Sequence, residues 1–166
     1  METFEREQNG RYLEEYTVGE IIHHWPGRTL TEYENQLFTL LTGNSSSAHL
    51  DVIDARESGH PDMLINGGYL LALVHGMSVR ELSVAPKAVF FLGMDEVRIL
   101  RPSYPGDTIR ASSEVLETRP STSKPGQGIL SVLTWATNQH GDRVIQFKRA
   151  IMVWCHGHGP GQAATS

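Results

Sequence analysis

Cysteine is nearly absent. The one thiol, Cys155, cannot close an internal bridge, so a disulfide scaffold is excluded and a reducing compartment is expected. Long apolar runs are absent as well. The longest, Tyr69 to Val74, stops at His75-Gly76, far short of the roughly 20 residues a membrane-spanning helix needs. Positive charge is scarce: 14 Lys and Arg stand against 19 Asp and Glu, a formal charge of −5, and no basic cluster offers a surface to nucleic acid. The opening Met1-Glu2-Thr3-Phe4-Glu5-Arg6-Glu7 lacks the basic-then-apolar pattern of a secretory signal, so a cytoplasmic location is expected. There is no P-loop, no dinucleotide-binding glycine fingerprint and no Gly-x-Ser-x-Gly elbow. What remains is 166 residues, 39% of them hydrophobic and 20% charged, enough for one globular domain with a real core.

No internal repeat or long linker divides the chain. Residues 1–16 read as an N-terminal arm, 17–155 as the folded domain, and 156–166, HGHGPGQAATS, as a tail too poor in apolar area to be ordered. Thr31-Glu32-Tyr33-Glu34 has the spacing of a capping box and opens a first helix. Tyr33, Leu37, Leu40 and Leu41 give that helix an apolar stripe, and Thr42-Gly43-Asn44 ends it. A second helix is predicted from Asn66-Gly67-Gly68 to about Leu82, apolar over a broad surface and therefore buried. After Pro86 the period changes to two. Strands are expected at 87–100, around Ile109, Ala111 and Val115, and around Ile145, Phe147, Ile151 and Val153. Turns at Tyr104-Pro105-Gly106-Asp107, Lys124-Pro125-Gly126 and His140-Gly141-Asp142 join them into a four-strand meander. The fold class is α+β: a curved antiparallel sheet wrapped around one long helix, with an open edge through which it dimerises.

Two segments carry functional groups. Asn44 and His49 share a polar loop just past a helix end, where an amide and an imidazole stand on irregular backbone. A hydrogen-bonded structural histidine is the alternative reading there. At Ile65-Asn66-Gly67-Gly68, a helix N-terminus with glycines lets a ligand carbonyl approach unpaired N–H groups, as an oxyanion hole requires. Tight helix packing is the alternative. Arg98 and Arg101 are candidate phosphate contacts. His23 and His24 read as strand residues. Cys155-His156-Gly157-His158 does not match a zinc spacing, so no metal site is expected.

Taken together these residues resemble the MaoC-like hydratase/dehydratase family of hotdog-fold proteins. The resemblance runs over about residues 17–154: Tyr16-Thr17-Val18-Gly19-Glu20, the loop ending His49-Leu50-Asp51, Ile65-Asn66-Gly67, and Arg101-Pro102-Ser103-Tyr104-Pro105-Gly106-Asp107-Thr108. Pro26-Gly27-Arg28-Thr29-Leu30-Thr31-Glu32 and Leu41-Thr42-Gly43-Asn44 look most like its itaconyl-CoA and mesaconyl-CoA hydratase-like group. The resemblance implies a single hotdog, a homodimer or higher homo-oligomer, and reversible hydration of the 2,3 double bond of an enoyl-CoA thioester. It assigns the base to His49, the carbonyl grip to Gly67 and the usual aspartate position to Asn44; Asn66, Gly68, Ser46, Arg98 and Arg101 are expected beside them as substrate-binding residues. No cofactor is implied beyond the coenzyme A of the substrate.

Asn44 departs from the pattern, as do Ser46 and Ser47 in place of an asparagine and a proline. A neutral amide orients water but takes no proton, so general-base work falls on His49. It also spares a second substrate carboxylate the repulsion an aspartate would exert, which favours branched or dicarboxylic acyl groups. Two other readings stand beside this one: a non-catalytic acyl-CoA-binding subunit of a heteromeric dehydratase, and a hotdog thioesterase.

Overall fold

The computed structural model describes residues 10–85 and 87–160. Two short strands, β1 (Ile21–His23) and β2 (Arg28–Thr29), precede helix α1 (Glu32–Leu41). A 3-10 turn at Ser47–His49 and a short helix α2 (Val52–Glu57) lead to the long helix α3 (Gly67–Leu82). Four long strands follow: β3 (Ala88–Ile99), β4 (Thr108–Pro120), β5 (Gln127–Thr137) and β6 (Arg143–Trp154). Both main helices begin and end within a residue of the sequence expectation. Helix α2 was not foreseen, because its six residues are too few to show a period.

The strand order corrects the meander. The sheet runs β1-β4-β5-β6-β3, with β2 also on β4, so β3 does not neighbour β4 but crosses to the far side of β6. The physical reason lies in β6, where Val144, Ile145, Phe147, Ile151 and Val153 are fully buried. Such a strand belongs inside a sheet, and β3 covers its free edge in an antiparallel ladder from Ala88 opposite Val153 to Ile99 opposite Ile145. The connection 100–107 then passes the N-terminus of α3, where Ser103 O accepts the Ile65 N–H at 2.9 Å.

Helix α1 turns its expected stripe outward. Tyr33, Leu40 and Leu41 are 67–78% exposed, whereas Asn35 and Thr39 are completely buried. The helix is held by hydrogen bonds rather than by its apolar face. Its capping is as expected at the start: Thr31 Oγ1 accepts the Glu34 N–H at 3.2 Å, and its hydroxyl donates to the Glu34 carboxylate at 2.8 Å.

Residues expected in an arm belong partly to the core. Leu13 and Tyr16 are buried and pack with Ile22, Leu82 and Val115. Residues 1–9 and 161–166, the remainder of the arm and most of the tail, lie outside the described residues.

The core on the inner face of the sheet is in two parts. One cluster, with Tyr69, Leu70, Val74, Ile109 and Phe147, surrounds the first half of α3. The other, with Leu82, Val115, Val132, Ile151 and Val153, surrounds its end. Between them α3, β4, β5 and β6 each contribute a buried polar residue: Ser78, Ser113, Thr134 and Arg149. Ser113 Oγ bonds Thr134 Oγ1 at 2.7 Å and His24 Nε2 at 2.8 Å, and His24 Nδ1 meets Glu81 at 2.8 Å. Burial holds His24 below the ordinary histidine range despite the Glu81 carboxylate, which pulls the other way.

Arg149 is the exception to this pairing. Its Nε, Nη1 and Nη2 are buried without a hydrogen-bond partner among the described residues. Burial lowers the guanidinium to about 10, which leaves it charged at neutral pH. An unpaired buried charge is costly, and a hydrophobe of similar volume removes that cost. Arg149→Met is therefore expected to raise stability by about 1–3 kcal/mol, read as an upward shift of the urea midpoint; an unchanged or lower midpoint contradicts this account.

Candidate active site

The site assembles at the N-terminal end of α3. Helix α1 stops in a Schellman arrangement: Gly43 takes φ +67, its N–H bonds Leu40 O at 3.1 Å, and the Asn44 N–H bonds Thr39 O at 3.0 Å. This fixes Asn44 at the second position beyond the C-cap Thr42. Its Oδ1 accepts the Ser46 N–H at 2.9 Å, an Asx turn that leads into the 3-10 turn carrying His49.

His49 Nδ1 lies 2.8 Å from Leu64 O. A carbonyl only accepts, so Nδ1 carries the proton and Nε2 presents a lone pair. The half-buried imidazole is thus oriented as a base. Leu64 in turn donates its N–H to Ala48 O at 2.9 Å, so the loop before His49 and the segment before α3 are tied together twice.

Asn66 caps α3, its Oδ1 accepting the Gly68 N–H at 2.8 Å. The Gly67 N–H has no partner among the described residues and lies in the first turn, where the helix dipole adds positive potential. A side chain at Gly67 would meet Ile99 of β3 at 3.4 Å, so the glycine keeps a close approach open without being required by packing. At Gly68 the space is tighter, with Asn66 Oδ1 at 3.2 Å and Phe38 at 3.3 Å.

One residue links these parts and was not singled out in the sequence. Asn35 Nδ2 donates to His49 O at 3.1 Å and to Leu64 O at 3.2 Å, while its Oδ1 accepts the Asn66 N–H at 2.7 Å. Asn66 Nδ2 then donates to Thr39 Oγ1 at 3.1 Å. The available signal was Asn35 and Thr39 one turn apart on a helix whose interior disfavours both residue types.

The structure brings His49, Asn66, Gly67 and Gly68 into one hydrogen-bonded unit. Asn44 and Ser46 begin the loop that carries His49, but no contact joins either to its imidazole. Arg98 and Arg101 flank Ile99, at the end of β3 beside the helix start; both are exposed, and Arg101 pairs with Asp142 at 3.4 Å. From Gly68 a cavity of about 270 Å³ runs along α3, lined by Leu71, Ala72, His75, Phe91 and Met94. A larger cavity of about 440 Å³ lies against Trp25, Arg28 and Met77, and neither cavity is lined by His49 or Gly67. Among the described residues no three His, Cys, Asp or Glu side chains gather as a metal site, and no helix is long and apolar enough to cross a membrane.

A curved antiparallel sheet around one buried helix, with a histidine and a free glycine N–H at the helix start, defines a hotdog-fold protein of the MaoC-like class. The fold is shared with a Mycobacterium tuberculosis protein described as a double hotdog, at TM-score 0.79 and 22% identity over 95% of this chain and 48% of that one. A solved structure of a MaoC domain protein dehydratase, described as putative, from Chloroflexus aurantiacus superposes at TM-score 0.83, with 25% identity over 98% of this chain and 46% of that one. A family model described as mesaconyl-CoA hydratase matches residues 1–158. The chain belongs to the mesaconyl-CoA hydratase family. A mesaconyl-CoA hydratase of Cereibacter sphaeroides is 34% identical over 144 residues, 87% of this chain and 41% of that protein. The chain spans about two fifths of the length of the curated relatives it matches.

Asn66→Ala removes the cap of α3 and leaves the buried Thr39 hydroxyl without its donor. It is expected to cost about 2 kcal/mol of stability, measured by urea denaturation at neutral pH.

Proposed function

We propose that this chain catalyses the reversible addition of water across the 2,3 double bond of an enoyl-CoA thioester. The observation that carries the reading is the 2.8 Å contact of His49 Nδ1 with Leu64 O: it assigns the proton of the neutral ring to Nδ1 and leaves Nε2 as a proton acceptor near the helix start that presents the Gly67 N–H. In the hydration direction the thioester oxygen accepts the Gly67 N–H. Water attacks C3 as His49 Nε2 takes its proton, and the electron pair of the double bond moves through C2 and C1 onto the thioester oxygen. The enolate collapses as C2 takes a proton back from the imidazolium. Every atom of the water ends in the product. Asn44, whose Oδ1 is already engaged by Ser46, has its N–H groups left to hold the oxygen of that water.

The cavity running from Gly68 toward His75 receives the acyl group in this reading. Coenzyme A enters only as part of the substrate, and the reaction as written uses no metal or redox cofactor. Arg98 and Arg101 are proposed as its phosphate contacts. A branched or dicarboxylic acyl group is favoured by the neutral Asn44 and by the names of the relatives, mesaconyl-CoA hydratase and beta-methylmalyl-CoA dehydratase. A cytoplasmic location is proposed with it, consistent with a single cysteine that is unpaired.

Loss of the conjugated enoyl-thioester absorbance is expected with mesaconyl-CoA and more slowly with crotonyl-CoA, without release of free thiol. His49→Ala is expected to lower kcat by about 10²–10⁴-fold. Equal rates on crotonyl-CoA contradict the acyl preference; no loss with any thioester assigns the chain to a non-catalytic binding subunit, and thiol release assigns it to a thioesterase.

We also propose that β3 pairs with a second copy. Its outer edge has no strand beside it among the described residues, and Phe90, Phe91, Val97 and Ile99 on it are 43–53% exposed. Light scattering on the eluted protein is expected to give at least about twice 18.5 kDa; a monomer at micromolar concentration excludes the pairing.

A further inference from the structure

We infer that Asn35 is the positioning residue of this site, setting the imidazole of His49 and the N–H of Gly67 at a fixed separation from inside helix α1. The inference rests on the proposed function for its catalytic consequence and on the hydrogen bonds alone for its geometry.

Asn35 is fully buried in the middle of a helix, where an asparagine is disfavoured and has to be satisfied. It satisfies both side-chain N–H donors and its oxygen, and none of the three partners is in its own helix. The first is the carbonyl of His49 itself. The second is Leu64 O, the same atom that receives the His49 Nδ1–H and so selects the tautomer. The third is the N–H of Asn66, the residue next to Gly67. One planar amide thereby fixes the backbone of the base, the acceptor that orients the base, and the start of the helix that grips the carbonyl.

The residue type is specific. Aspartate at this place has no N–H to offer two carbonyl oxygens, and alanine leaves the His49 carbonyl and the Asn66 N–H without a partner and the Leu64 carbonyl with the His49 ring alone. Thr39 touches only the Asn66 end and cannot replace the bonds to His49 and Leu64. Misplacement of a reacting group by about 1 Å costs on the order of 10²-fold in rate, and Asn35 is bonded to the backbone of His49 and to that of the residue before Gly67.

The test uses the full chain as wild type, Asn35→Ala, Asn35→Ser and a control, Val132→Ala, which loosens the distant cluster without touching the site. Nitrogen-15 NMR of the histidines reads the His49 tautomer, and steady-state hydration of mesaconyl-CoA reads kcat and KM. A single Nδ1–H tautomer is expected in wild type and Val132→Ala. In the Asn35 variants the Nε2–H tautomer is expected alongside it, with kcat lowered by about 10²-fold and KM changed by less than about threefold. A folded Asn35 variant with the wild-type tautomer and kcat overturns the inference. So does a tautomer change of the same size in Val132→Ala, which would trace to loss of stability. Should neither Asn35 variant fold, wild type decides: slow solvent exchange of the Asn35 side-chain amide with one His49 tautomer supports it, and fast exchange or a tautomer mixture overturns it. The tautomer is read without turnover. An altered tautomer in a chain that hydrates no thioester thus leaves Asn35 in its place and rejects the proposed function alone.

Discussion

A helix that packs against the inner face of a curved sheet begins with N–H groups that have no partners within the helix. The arrangement around α3 answers that constraint. Asn66 caps the Gly68 N–H, Asn35 receives the N–H of Asn66, and Ser103 O receives that of Ile65. Gly67 is the N–H left over. The capping of this helix and the placing of the His49 loop are therefore one piece of structure, because the His49 carbonyl accepts from Asn35 while its ring donates to Leu64 O, which Asn35 also holds.

Much of this was legible in the residues. The Thr31 cap, the glycine after α1 and the start of α3 at Gly67 are local signals, set by backbone chemistry within a few positions, and each stands where it was expected, although Glu34 reaches back to the Thr31 hydroxyl rather than to its N–H. The resemblance named His49 and Gly67, which the structure places on two segments joined through Asn35 and Leu64. The place of β3 was not legible, because strand order depends on which edge most needs covering, and that depends on the burial of β6, more than forty residues later. Arg149 escaped for a related reason: it sits in the inward phase of β6 between Phe147 and Ile151, and an alternation count passes over one polar residue.

Helix α1 shows how a period can be right and its face wrong. Its apolar residues do recur at helical spacing, yet Asn35 and Thr39 point inward. A stripe of leucines is a good indicator of the buried face only when burial is driven by apolar area. Here the opposite face carries partners with directional bonds to three segments, and those bonds decide the orientation.

The polar layer across the middle of the core bears on how the molecule loosens. Side-chain packing is continuous within each cluster but interrupted between them by Ser78, Ser113, Thr134 and Arg149, so the two halves are coupled chiefly through the ladders of β4, β5 and β6 and through the turns of α3 itself. Cooperative units follow contiguous packing. Loosening of the half beside His49 and Gly67 therefore need not spread to the half around Leu82 and Val153, and two cooperative units are strung along a single helix.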